Sequence, residues 1–110
     1  MAIDTAVIRG TLDLLILRVL CLGPMHGWGI SEQIQALSRD TLKAQQGSLY
    51  ASLHRLTREG WIRSSWQDTE SGRRARYYAL TRAGERQAGI ETEQWQRLSA
   101  GVSRLIASTS

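Results

Sequence analysis

GSLYASLHRLTREGWIRSSWQDTESGRRARYYALT, residues 47–81, carries two periodicities in succession, and their order decides the fold. From Gly47 to Gly60, steps of 100° put Leu49, Leu53 and Leu56 on one side. Ser48, Ala51, His54, Arg55 and Arg58 fall on the opposite arc, with Tyr50 at the boundary. This is an amphipathic helix that starts near Ser48 and stops at Gly60, a residue that readily takes the backbone conformation closing a helix. Beyond it, Trp61 to Gln67 and Arg76 to Leu80 are rich in aromatic and β-branched residues and read as strands. Ile62 and Trp66 share one face, and Tyr78 and Leu80 share another. The polar stretch Asp68 to Arg74, with its Ser71-Gly72 turn, makes the pair a hairpin whose tip carries Arg73, Arg74 and Arg76.

Upstream, Ile30, Ile34 and Leu37 recur at i, i+4, i+7 with Glu32, Gln33 and Gln35 opposite, a second amphipathic helix entered through Gly27 and Gly29. The connector Ser38 to Gln46 is polar, with a short extended piece near Leu42. Before the Gly23-Pro24 break, Thr11 to Leu22 is apolar at nearly every position except Asp13 and Arg18. A helix apolar almost all round must be covered on more than one side, which a small domain can hardly do alone. A partner chain over Leu12, Leu15, Ile16 and Val19 is therefore expected. Three helices and a basic hairpin, in that order, predict a mainly α winged helix-turn-helix with a two-stranded β-wing. Downstream, Thr81 is an N-cap, and a last helix runs toward Ser108 before the tail Ala107 to Ser110 frays. Trp95, Leu98, Val102 and Leu105 are spaced 3-4-3, the pattern of a coiled-coil seam, with Ala88 one heptad earlier. The division expected is residues 1–80 for the winged helix-turn-helix domain and 81–110 for a dimerisation helix.

With 110 residues the chain has room for one hydrophobic core, and its 42% apolar and 22% charged content is ordinary for a folded domain. Cys21 lies in an apolar run and reads as a small buried hydrophobe with no second cysteine to pair with, as in a reducing cytoplasm. The greasiest run, Leu14 to Leu22, contains Arg18 and is far short of the roughly 20 residues that span a bilayer. Met1 to Gly10 does not follow the order of a secretory signal, so a cytoplasmic protein is expected. Net charge is +4, and it is localised. Residues 1–42 carry three Arg against four acids, residues 43–86 nine Lys or Arg against four acids, and residues 87–110 two against two. The excess thus sits in the helix and hairpin quoted first, where a polyanion is the fitting partner.

Five stretches together resemble the PadR-like transcriptional regulators. They are Gly10-Thr-Leu-Asp-Leu-Leu-Ile-Leu, Pro24-Met-His-Gly-Trp-Gly-Ile, Gly47-Ser-Leu-Tyr, Leu53-His-Arg-Leu with Glu59-Gly-Trp-Ile, and Arg73-Arg-Ala-Arg-Tyr-Tyr-Ala-Leu-Thr. Order and spacing agree over about residues 9 to 85, and the short C-terminal helix is similar to that of the family's smaller subgroup. The resemblance implies a homodimer that represses by binding a palindromic operator and is often released by a small molecule. It also implies a phosphate contact for Tyr50, whose alternative is a ring packed at the core edge with its hydroxyl in water. Relatives commonly have proline directly after Gly-Ser-Leu-Tyr, where this chain has Ala51. Proline there belongs to a first helical turn, so alanine leaves the fold intact.

A helix in the major groove reads base edges while Lys and Arg neutralise phosphates. Ser48, His54, Arg55 and Arg58 offer the hydrogen bonds and charge, Ala51 permits close approach, and the hairpin arginines suit phosphate or the minor groove. Arg55 and Arg58 have the alternative of pairing with nearby acids. With two-fold symmetry, half-sites about one helical turn apart are expected, roughly 34–36 Å. Trp28 and Trp95 read first as core or interface fillers, and Trp95 could also line an effector pocket between subunits. Enzyme chemistry is not indicated: His26, His54 and Cys21 lack metal-ligand spacing, and there is no P-loop, Rossmann glycine pattern or G-x-S-x-G elbow. The competing class is a protein-interaction module that keeps the dimer surface without DNA contact. Such a module has no physical need for three clustered arginines on its hairpin.

Overall fold

The computed structural model describes Ile3, Asp4 and residues 11–110. Gly10, the first residue of the N-terminal motif, and the rest of the segment read as lacking a secretory signal lie outside the described residues, apart from the backbone of Ile3 and Asp4. The elements follow in the order β1 (Ile3–Asp4), α1 (Thr11–Leu20), β2 (Met25–His26), α2 (Gly27–Leu37), β3 (Leu42–Lys43), α3 (Gln46–Arg58), β4 (Ile62–Asp68), β5 (Arg74–Leu80) and α4 (Arg82–Thr109). This is the expected winged helix: mainly helical, with a small antiparallel sheet and a long last helix.

Helix α1 is the hub. Its apolar residues are buried because α2, α3, α4 and β5 of the same chain all pack against it. This corrects the expectation of a partner chain over helix one: Leu12, Ile16 and Val19 are only 6, 0 and 5% exposed within one chain. They have no surface left to give, and only Leu15 remains half-exposed. The chain's own α4 supplies the cover that seemed to be missing. Gly23, with φ of +139°, then turns the chain away from α1 in a conformation that side-chain-bearing residues avoid.

At the start of α2 the His26 Nδ1 accepts the Gly29 N–H at 3.0 Å, capping the helix. Met25 and His26 pair antiparallel with Tyr78 and Tyr77, so the wing sheet has three strands in the order β2-β5-β4. The extended piece expected near Leu42 is β3, which pairs parallel with β1. In α3 the three leucines are fully buried as expected, and Ser52 joins them. Gln45 occupies the N-cap position, so Ser48 in the first turn is not the cap.

The hairpin strands pair from Ile62 opposite Leu80 to Asp68 opposite Arg74. That register corrects the assignment of faces, because Ile62, Trp66, Tyr78 and Leu80 all lie on one side of the sheet. At the inner end of this face Ile62 and Tyr78 enter the core, while at the outer end Trp66 stands exposed beside Arg76.

Thr81 caps α4 by accepting the Gly84 N–H at 3.0 Å, and its hydroxyl donates to the Gly60 carbonyl at 2.6 Å. Gly84 and Ala88 are buried, so the first turns of α4 belong to the packed unit and the division at residue 80 falls inside it. From Glu93 onward no residue of the helix is buried. The helix stays regular to Thr109 rather than fraying at Ala107, and it draws the molecule out to 55 × 32 × 21 Å. The close approach at Gly84 is decisive for this junction: a Cβ there would lie 1.8 Å from the Trp61 carbonyl oxygen. Backbone cannot yield as a flexible side chain does. Gly84→Ala is therefore expected to cost about 3 kcal/mol or more of stability, the upper end for overpacking, read by urea unfolding.

Candidate nucleic-acid interface

Helix α3 turns its apolar side to the core and presents Ala51, His54 and Arg58 to solvent, with Ser48 half-buried at the edge. Tyr50, also exposed, leans toward α2, where its hydroxyl lies 2.8 Å from where a Gly27 Cβ would be. Glycine at position 27 is what lets the phenol lie over the first turn of α2. Between this phenol and the wing opens a cleft of about 730 Å³, lined by Trp28 and Tyr50 on one side and by Trp66, Arg73, Arg74 and Arg76 on the other. All three expected wing arginines and the expected phosphate ligand of α3 thus border one space.

The wing arginines are held differently. Arg73 alone sits in the tip loop, closed by the Thr69 N–H and hydroxyl on the Arg73 carbonyl at 2.7 and 2.8 Å and by Gly72 at φ of +84°. Arg74 opens β5, its Nε 3.9 Å from the Asp68 carboxylate; both groups are so exposed that this pair contributes little to stability. Arg76 lies two residues further along β5, on the strand and not at the tip. Its Nε donates to Ser64 Oγ at 3.0 Å, and its guanidinium stands 5.7 Å from the centre of the Trp66 ring, within cation–π range. Beneath them, burial pushes the Tyr78 hydroxyl above its usual range while Arg76 pulls the other way, which leaves the phenol protonated at neutral pH.

Arg55 departs from the expected arc. It forms an ion pair with Asp13 of α1, and the same nitrogen lies 3.5 Å from Ser52 Oγ. The side chain is turned across the helix bundle because an acid waits there, and this engages the charge that was expected to meet phosphate. The ion pair borders Glu91 of α4, whose carboxyl is pushed above the usual range first by burial and further by the Asp13 charge. A hydrogen bond from Gln87 at 3.2 Å and the Arg55 charge oppose that rise. Three helices thus share one charged junction.

Two predictions follow from the signs. Glu91 binds its proton more tightly in the folded chain than in the unfolded one, so its contribution is most favourable below the ordinary value of 4.5 and is lost as pH rises through the raised value. Glu91→Gln is expected to be modestly more stable than the parent at pH 7 and equal to it in acid, measured by urea unfolding across that range. Arg55→Ala leaves Asp13 beside Glu91 without a counter-charge. It is expected to lower stability while leaving the salt dependence of DNA binding unchanged, if the charge stays engaged by Asp13 when DNA is bound.

The remaining residues expected in the seam are exposed in the single chain. Trp95, Leu98, Val102 and Leu105 are 42, 59, 47 and 64% exposed. They continue the stripe that Ala88 begins in the core. Sequence reasoning missed the placement of Trp28 and Trp66 at the cleft; Trp66 shares the face of Arg76 through the strand register, which alternation within each strand does not give. No group of three or more His, Cys, Asp or Glu that could hold a metal occurs among the described residues. No described helix is long and apolar enough to cross a membrane.

The family model of PadR-like transcriptional regulators matches residues 16–89, from the middle of α1 into α4. The chain belongs to the PadR-like transcriptional regulator family. It is similar to a transcriptional regulator from Clostridium thermocellum of known structure, at 28% identity and a TM-score of 0.81 over 94% of this chain and 97% of that one. A PadR family transcriptional regulator from Eggerthella lenta is 29% identical with a TM-score of 0.74, covering 92% and 86% of the two chains. An uncharacterised protein of Lysinibacillus sphaericus is 28% identical over 89 residues, 81% of this chain and 82% of its own length. A PadR-like regulator is a transcription factor and not an enzyme, and membership implies DNA as its partner.

Proposed function

We propose that this PadR-like protein is a cytoplasmic, homodimeric repressor that binds a palindromic operator. The observation that carries the reading is the shared cleft: Tyr50 of α3 and Arg73, Arg74 and Arg76 of the wing border one open space, so a single duplex can meet them together. Ser48, Ala51, His54 and Arg58 face the major groove, Tyr50 takes a phosphate oxygen, and the wing arginines take phosphates toward the neighbouring minor groove. Arg55 is a positioning residue that ties α3 to Asp13.

The dimer forms through the distal part of α4, with Trp95, Leu98, Val102 and Leu105 as its seam. A flat small molecule against Trp95 at that interface is the fitting effector, and its binding releases the operator. The dimerisation unit is the arm beyond Thr92, since the earlier turns of α4 are packed on the winged helix.

The test is a titration of the protein against DNA upstream of its own gene and against random duplex, at several salt concentrations. Binding to both at low salt, with a steep salt dependence and tighter binding to the upstream DNA, is expected. Negligible affinity even at low salt overturns the reading in favour of a protein-interaction module.

A further inference from the structure

We propose that the cleft between the wing and α2 is the seat of one sugar–phosphate strand of the duplex, and that Trp28 and Trp66 form its apolar walls. The proposal rests on the DNA-binding reading and goes beyond it in assigning two residues and a mode of contact.

Adjacent grooves of B-form DNA are separated by one phosphodiester backbone. A reading helix in the major groove and a wing in the next minor groove must therefore straddle one strand, and the space between them is what that strand occupies. Here the space is about 730 Å³. Its chemistry matches a backbone: arginines for the phosphates, and apolar ring faces for the carbon-rich deoxyribose. Trp28 and Trp66 are each 59% exposed, and neither belongs to the core cluster, so the fold does not account for two indoles at this spot. Trp66 also holds Arg76, whose guanidinium is fixed between the indole and Ser64 Oγ before any partner arrives. A charged group already held in place loses less freedom on binding. Base stacking, the other use of exposed indoles, needs unpaired bases and does not suit a duplex.

Sugar contacts carry no sequence information and involve no charge, which sets them apart from both readers and phosphate ligands. The experiment uses the full chain and its Trp28→Ala, Trp66→Ala and Trp66→Phe variants. Labelled random duplex, upstream duplex and a single strand of equal length are titrated at several salt concentrations, and acrylamide quenching of tryptophan emission is followed with and without duplex. Each alanine variant is expected to bind both duplexes more weakly by the same factor, roughly fivefold or more, with the salt slope unchanged. Trp66→Phe recovers most of the loss, and duplex shields the parent's tryptophans. A parent that binds duplex while both alanine variants bind equally well and quenching is unaltered overturns the strand seat and leaves the DNA reading standing. Single strand bound more tightly than duplex, with shielding, also overturns it and makes the cleft a base-stacking site. A parent that binds no DNA overturns both readings.

Discussion

Replacing Arg73 and Arg74 together by alanine is expected to weaken binding to every duplex, operator or random, and to flatten its dependence on salt. Each phosphate neutralised releases counterions, and log K falls with log salt at about 0.9 per contact. Two contacts removed from each bound subunit lower the slope by about 1.8. A fourfold rise in salt then weakens the variant roughly tenfold less than the parent per subunit. The fold is not at stake, since both side chains are exposed and the Asp68–Arg74 pair is wide and solvated. Measuring affinity across a salt series on random duplex checks this, and an unchanged slope removes the wing from the interface. Arg76 is kept out of this variant because it is bound to Ser64 and Trp66, so its loss would disturb the cleft as well as the charge.

What the sequence made legible was whatever repeats along the chain. The leucines of α3 recur at helical spacing and are all buried, and the hairpin alternates with a turn of glycine and polar residues. β2 was not legible, because a strand of two residues has no period; it exists because Tyr77 and Tyr78 of β5 offer an edge to Met25 and His26. The Arg55–Asp13 pair joins residues 42 positions apart, and only the crossing of α1 and α3 brings them together. On a helical wheel Arg55 belongs with Arg58, and the wheel has no record of the acid on the next helix.

Helix α1 is the more instructive case. Its all-round apolar pattern was correctly read as a demand for cover on several sides, and the mistake lay in where the cover comes from. The 3-4-3 spacing in α4 reads as one uninterrupted dimer seam from Ala88 onward. The fold divides it: Ala88 is buried against the chain's own core, and the exposed part begins beyond Thr92. One stripe can thus serve two surfaces, and periodicity alone does not mark where the first ends.

That division shapes the second large prediction. From Glu93 to Thr109 the helix extends about 25 Å at 1.5 Å per residue, with an apolar stripe and no cover from its own chain. A free helix of this length is marginal in water, so the distal arm needs a second surface to stay helical. Another copy of the same stripe is self-complementary and supplies it. Leu98→Asp with Val102→Asp puts unpaired charge at the middle of that seam, where burial without a partner is strongly unfavourable. The variant is expected to be monomeric by sedimentation at concentrations where the parent is a dimer, and to lose helical circular dichroism from the arm. The winged helix itself should keep its unfolding midpoint in the monomer, since neither residue touches the core cluster. Operator affinity is expected to fall by roughly a hundredfold or more, because two linked reading heads gain from effective concentration and separate ones do not. Persistence of the dimer moves the interface elsewhere, to the apolar groove of Leu15, Leu22, Leu37 and Leu42 between α1 and α2.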